Sequence, residues 1–295
     1  MLTLEWLAEL AQTHREALGA KVREFEVGGR LLAFNSKPAI MGVVNLSADS
    51  WYRESVCLST EQAIRRGKVL AAQGADIVDV GAESTLAHAA RKNSTEQNGQ
   101  LLPVVRGLHA AGIPVSVETY ELEVARDCLA AGASVLNLTR SGNLETILKW
   151  VAEHNAAVVL CFVQGEHVRA VGDLELGADP VGLMYEYFAR RIDLATQLGV
   201  TKIMIDPGLG FYYRNLQDSA VRVRHQMRTF ANSFRLRTLG WPLCQALPHA
   251  FEYFGGEVRC AEPFFAVLAA LGKTDVFRTH EVPRTKAVLE TLAAF

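Results

Sequence analysis

The 295-residue chain has little to tie it to a membrane, to nucleic acid or to an oxidising compartment. Its longest apolar stretch, Ala156 to Val163, is far too short to cross a bilayer. The five cysteines, Cys57, Cys128, Cys161, Cys244 and Cys260, are odd in number and include no short-spaced pair of the zinc or redox kind. Cys128 and Cys161 lie in apolar runs and read as small buried hydrophobes, so a reduced, cytoplasmic setting is expected. Charge of one sign is also missing. The formal net charge is −2, with 32 acidic and 30 basic residues interspersed. That balance excludes a basic stripe for nucleic acid and an acidic cation-buffering tail. The first residues carry Glu5 and Glu9 and lack a basic start before an apolar run, so no secretory leader is expected.

The residues present are those of a soluble globular protein, 49% hydrophobic and 21% charged. Leu2, Leu4, Leu7, Leu10, Ala11 and Leu18 space out an amphipathic helix packed on the outside. Phe25–Val27 and Leu31–Phe34 flank Gly28-Gly29, a hairpin signal. From Pro38 onward, short apolar runs alternate with helical patterns. Strands are expected at Ala39–Leu46, Asp76–Gly81, Val115–Glu118, Val135–Leu138, Val158–Val163, Lys202–Asp206, Pro242–Gln245 and Asp275–Arg278. Helices are expected at Thr60–Gln73, Leu122–Ala131, Leu144–His154, Pro180–Leu198, Leu216–Ala231, Pro263–Leu271 and Arg284–Ala293. The helix before the third strand is interrupted by Gly99 and Pro103, and Trp241-Pro242 and Pro248 shorten the seventh strand. Continuous apolar strands indicate a parallel sheet covered on both faces. Eight strand–helix units favour a closed (β/α)8 TIM barrel over an open doubly wound sheet. One α/β domain over 1–295 is expected, with a helix and hairpin in 1–37 and the barrel in 38–295.

In such a barrel, chemistry sits where strands end. Those positions carry Asn45 with Asp49, Glu83-Ser84-Thr85, Glu118-Thr119, Asn137, Gln164, Asp206, Gln245, and Arg278 with His280. Any one of them could be a helix cap or a solvated loop residue; so many around one mouth favour a site. Asp206 ends an apolar strand and precedes Pro207-Gly208-Leu209-Gly210, which lets backbone approach a ligand closely. Its carboxylate can accept two parallel N–H donors, such as the edge of an aminopyrimidinone ring. The alternative is an Asp that caps the next helix. Arg278 and His280 would meet Asn45 where strands eight and one pair, the quarter of these barrels that often holds phosphate. The alternative for Arg278 is a surface pair with Glu281. Glu83, Glu118 and His88 are scattered without HExxH-like spacing, and no protein-held zinc is expected. A magnesium ion carried by substrate phosphates could reach Asn45.

At these residues the sequence resembles the dihydropteroate synthase family of pterin-binding barrels, from about Pro38 to the carboxyl terminus. Met41–Ser50 is similar to the family's first-strand signature, whose asparagine serves the diphosphate and magnesium. Gly74–Thr85 is similar to the second signature. Glu118 stands where the family has a pterin-facing aspartate, and Asn137 fits a pterin-contacting asparagine. Asp206–Phe211 matches the pterin-anchoring segment, and Arg278-Thr279-His280 the diphosphate-binding end. The departures are a missing Ser-Arg-Lys segment after strand seven, Leu86 for an arginine, Leu138 for an acidic residue, and Tyr212-Tyr213 after Phe211.

The resemblance implies a transferase of folate biosynthesis. It would join p-aminobenzoate to a dihydropterin diphosphate, with Mg2+ as cofactor and a homodimer as assembly. Asp206, Asn137 and Glu118 would hold the pterin, with Gln245 standing in for the lysine. Asn45, Arg278 and His280 would take the diphosphate, and Ser84 and Thr85 would border the second substrate. Two other readings share the pterin floor: a one-carbon (methyl) transferase acting on a reduced folate, and a non-catalytic pterin-binding paralogue.

Overall fold

A computed structural model describes residues 2–50, 52–84, 89–140, 142–175, 177–211 and 213–295. Helix α1 (Leu4–Thr13) is N-capped by Thr3 and leads through a 3-10 turn at Arg15–Gly19 to the hairpin β1 (Phe25–Val27) and β2 (Arg30–Leu32). Gly28 and Gly29 both have positive φ, 56° and 78°, as a two-residue hairpin turn requires. Phe25, Val27 and Leu32 are buried, and a Cβ at Gly28 would meet Pro114 at 2.9 Å, so the hairpin presses against the entry to the strand that follows Pro114. The face of α1 is only half-buried, at Trp6, Leu7, Leu10 and Ala11; Leu4 is exposed.

Eight strands and their helices then alternate. They run β3 (Ala39–Asn45), α2 (Thr60–Ala72), β4 (Ile77–Gly81), α3 (Ser94–His109), β5 (Val115–Thr119), α4 (Leu122–Ala130), β6 (Val135–Leu138) and α5 (Leu144–Glu153). The second half runs β7 (Ala157–Cys161), α6 (Pro180–Gln197), β8 (Ile203–Asp206), α7 (Ser219–Asn232), β9 (Cys244–Ala246), α8 (Phe251–Phe254), α9 (Ala261–Leu271), β10 (Val276–Thr279) and α10 (Val282–Ala293). Every pairing among β3–β10 is parallel, in the order β8-β7-β6-β5-β4-β3-β10-β9. The ends meet: Ile205 of β8 bridges Leu243 in parallel, and its N–H donates to the Pro242 carbonyl at 3.0 Å. The sheet is therefore a nearly closed barrel, not an open one.

The strands are apolar on both faces because helices cover the outside and side chains fill the inside; β7 is buried at every residue. Two expectations shift. Helix α3 runs unbroken through Gly99 and Pro103, opened by a reciprocal capping box between Asn93 and Glu96. It buries Leu101, Val104, Val105 and Leu108, and that packing outweighs the hydrogen bond lost at proline. Helix α9 begins at Ala261, which brings Glu262 into its first turn and into the core. Among the described residues no helix is long and apolar enough to cross a membrane.

Candidate active site

At the carboxyl ends of the strands lies a cavity lined by Asn45, Glu118, Asn137, Asp206, Arg278 and His280, among others. Its floor is a buried charge cluster. Arg278 reaches in from β10 and places Nε 2.7 Å from Asp79 Oδ2 and Nη2 2.6 Å from Glu118 Oε2. Asn137 Nδ2 donates to the same Asp79 oxygen at 3.3 Å, and Cys161 Sγ donates to Asn137 Oδ1 at 3.5 Å. Asp206 ends β8 beside them, and its Oδ1 accepts the Gly208 N–H at 2.7 Å. Gly208 has φ +73°, and a Cβ there would stand 2.5 Å from the Phe162 carbonyl, so glycine alone fits this turn.

Two carboxylates thus share one guanidinium, and Asp206 lies close enough to feel its charge. Burial raises the Asp206 carboxyl to about 6, against the lowering pull of the Gly208 N–H and of Arg278. Burial likewise raises Glu118 to about 7; Arg278 opposes this, and Asp79 and Asp206 reinforce it. Asp79 Oδ1 is buried without a hydrogen-bond partner among the described residues. The floor holds more acceptors than donors, so it suits a flat ligand with an N–H-rich edge.

The opposite corner is built on imidazoles. Asn45 Nδ2 donates to Ser55 Oγ at 2.6 Å and lies 3.5 Å from His280 Nε2. His280 Nδ1 is 2.7 Å from Glu262 Oε1, and His249 Nε2 is 3.3 Å from both that oxygen and His280 Nδ1. Tyr52 stacks on His280 and His249, with ring centroids 4.7 and 5.3 Å away, and its hydroxyl donates to Glu281. Burial lowers the His280 imidazole, partly offset by Glu262. Burial alone would raise Glu262, but His280 and His249 together hold it well below the usual carboxylate range.

At the rim, Arg169 from the loop between β7 and α6 is 3.2 Å from Glu83 Oε1. It also donates to the carbonyls of Ser84 at 2.5 Å and Ala89 at 2.6 Å. Tyr120 Oη donates to Glu83 Oε2 at 2.8 Å and stacks on His167.

Of the residues expected from the sequence, Asn45, Glu118, Asn137, Asp206, Arg278, His280 and Ser84 all line this cavity. Thr85, Leu86, His88 and Tyr212 lie outside the described residues. Two expectations need correction. Gln245 is fully buried away from the cavity, where its Nε2 donates to Ser233 Oγ at 3.0 Å and Thr274 Oγ1 at 2.6 Å. Strand alternation is the reason: Ala246 faces the cavity, so its neighbour faces the helices. Arg278 lines the cavity and pairs with the carboxylates of the floor, not with Glu281, which pairs instead with Arg259 and Arg284. Sequence reasoning missed Asp79, His249, Glu262, Tyr52 and Arg169 as members of the site. Asp79 alone had a local signal, a charge between Val78 and Val80 inside an apolar strand.

Residues 41–242 match the family model described as pterin binding enzyme. The chain is 28% identical over 268 residues to a dihydropteroate synthase of Synechocystis sp., covering 87% of this chain and 89% of that protein. It is 28% identical to the type-2 dihydropteroate synthase of Escherichia coli, over 88% and 97% of the two chains. Among solved structures, the Xanthomonas albilineans dihydropteroate synthase with 4-aminobenzoic acid superposes with a TM-score of 0.76 at 28% identity, over 93% of this chain and 98% of that one. The same enzyme in complex with 7,8-dihydropteroate gives 0.71 at 27% identity, over 92% and 97%.

Proposed function

We propose, from the premise that this chain belongs to the pterin-binding enzyme family, that it is a dihydropteroate synthase-type transferase. The amine nitrogen of p-aminobenzoate attacks the methylene carbon of a dihydropterin diphosphate. The C–N bond forms, the C–O bond breaks, diphosphate leaves with the electron pair, and the amine gives up a proton. The observation that carries this reading is the acceptor-rich floor: Asp206 and Glu118 line a cavity at the strand ends, and Asp79 Oδ1 behind them is buried without a hydrogen-bond partner among the described residues.

Asp206 holds the donor edge of the pterin. Glu118 and Asn137 complete the acceptor ring, and Arg278 keeps that ring from becoming prohibitively negative. Asn45 and His280 sit where the diphosphate would lie, and pre-organised donors there stabilise the departing charge. Magnesium fits this corner: the Asn45 side-chain oxygen accepts no hydrogen bond among the described residues and is a hard donor. A bound magnesium ion would neutralise diphosphate charge as the bond breaks. Ser84, held by Arg169, borders the second substrate's approach.

A homodimer fits the outer face of α9, where Phe264, Val267 and Leu271 are exposed at helical spacing. The five free cysteines support a reducing, cytoplasmic setting. The test is direct. Protein supplied with dihydropterin diphosphate, magnesium and p-aminobenzoate should form dihydropteroate and release diphosphate in equal amounts. Tight pterin binding without turnover would support the non-catalytic reading, and preference for a methylated reduced folate would support one-carbon transfer.

A further inference from the structure

We infer that His249, Glu262 and His280 form a three-ligand site for a zinc-class transition-metal ion at the diphosphate corner of the cavity. Three potential ligand atoms, His249 Nε2, His280 Nδ1 and Glu262 Oε1, converge there and lie within 4.8 Å of one another. Their separations are 3.3, 3.3 and 2.7 Å. A tetrahedral ion with bonds of about 2.0–2.1 Å sets its ligands roughly 3.3 Å apart, so two edges already have the length that zinc requires and the third must open by about half an ångström. Two imidazoles with one carboxylate is also a known zinc ligand set, and it leaves a fourth position for water or a substrate oxygen. Magnesium prefers oxygen ligands in an octahedron, so these nitrogens select against it.

The surroundings hold the three ligands in place. Glu262 is fully buried, and its Oε2 accepts the Thr279 hydroxyl and the backbone N–H groups of His280 and Glu281. That anchoring turns Oε1, which shares the His280 backbone N–H at 3.2 Å, toward the imidazoles. Among the described residues neither lysine nor arginine pairs with Glu262, so its charge has only the two rings, or an ion, as counterpart. Tyr52 covers the imidazole faces and leaves the in-plane nitrogen lone pairs uncovered by its ring. With the ion on Nδ1, His280 carries its proton on Nε2, which gives up its contact with the Asn45 Nδ2 donor and can donate to a diphosphate oxygen. His249 and His280 are 15% and 12% exposed and line the cavity, so the fourth position is open to a diphosphate oxygen. His249 sits on the loop where the resemblance calls for a lysine. An ion there would restore positive charge that the chain has otherwise lost.

The experiment needs no pterin, so it stands or fails apart from the proposed activity. The full chain, stripped with a chelator, is titrated with Zn2+ against a chromogenic zinc chelator, and in parallel with Co2+. One equivalent of zinc is expected, and cobalt should give the intense visible bands of a tetrahedral site. His249→Ala should weaken zinc binding by at least roughly 100-fold, more than the usual loss for an outer-shell partner. His249→Cys should keep the metal and add a thiolate-to-cobalt charge-transfer band, a signature that no purely structural role would produce. Glu262→Gln is a secondary variant because it risks the fold. Absence of stoichiometric binding, weak octahedral cobalt bands, or equal affinity in wild type and His249→Ala would overturn the inference.

Discussion

Asp206 is held between two demands, since burial favours its neutral form and a pterin edge favours its anion. Asp206→Asn replaces an acceptor oxygen with a donor that would face the ligand's own donor. Pterin affinity should fall by about 3 kcal/mol, roughly 100-fold, measured by calorimetry. The pH dependence follows from the same residue. Asp206 and Glu118 sit above their ordinary values of 3.8 and 4.5, at about 6 and 7. In the free protein their contribution to stability is complete below about pH 4 and is lost as pH rises through 6 and 7. Pterin binding runs the other way. Affinity should climb by up to about tenfold per pH unit below 6 and flatten above 7, with protons released on binding in the acid range. Calorimetry in buffers of different ionisation enthalpy would show it; affinity that is level from pH 5 to 7 would remove the Asp206 anion from recognition. Arg278 separates two roles. As the counter-ion of the floor, its change to Gln strands Asp79 and Glu118, and should weaken bare pterin and pterin diphosphate alike. A loss confined to the diphosphate would return Arg278 to the leaving-group corner.

At the scale of elements, what could be read from the sequence was what lies close along the chain. Each strand announced itself as an apolar run, and Asp206 as the carboxylate closing one of them; the bounds of β3–β10 fall within two residues of those expected. Asn93 and Glu96 carried the signal for α3, but Gly99 and Pro103 masked it. Gln245 illustrates the opposite error: in a strand only three residues long, one step of register decides between cavity and core. His249 and Glu262 could not be paired by spacing, because the turn of α8 and the 3-10 segment at Gly255–Cys260 fold back between them. Arg169 was equally silent, an arginine in a polar loop whose partners lie about 80 residues earlier. Its contacts give the next prediction. Arg169→Ala removes the strap from Glu83, Ser84 and Ala89. It should raise KM for p-aminobenzoate roughly tenfold while the pterin Kd stays unchanged. Equal losses for both ligands in steady-state and binding assays would place Arg169 in general stability instead.

At the scale of the whole molecule, the barrel is unevenly closed. Along β8 and β9 the seam is a single parallel bridge among the described residues, Ile205 to Leu243, with the Ile205 N–H donating to the Pro242 carbonyl. Proline has no N–H to return, and the Leu243 N–H is taken by Asp275 Oδ2 at 2.8 Å, within the pair that Asp275 makes with Arg237. Elsewhere the ladders run over three to five residue pairs. The seam is therefore the place where the ring opens at least cost, and Asp206 is the residue next to it. A pterin gripped by Asp206 on one side and by the β4–β6 floor on the other would tie β8 across the barrel interior. Hydrogen exchange followed by mass spectrometry should find Ile205 exchanging ahead of the amides of β4–β6 in the free protein, and pterin should slow it by at least roughly tenfold. Protection confined to the loops, with Ile205 unchanged, would mean that the ligand sits above the strand ends and leaves the closure of the ring untouched.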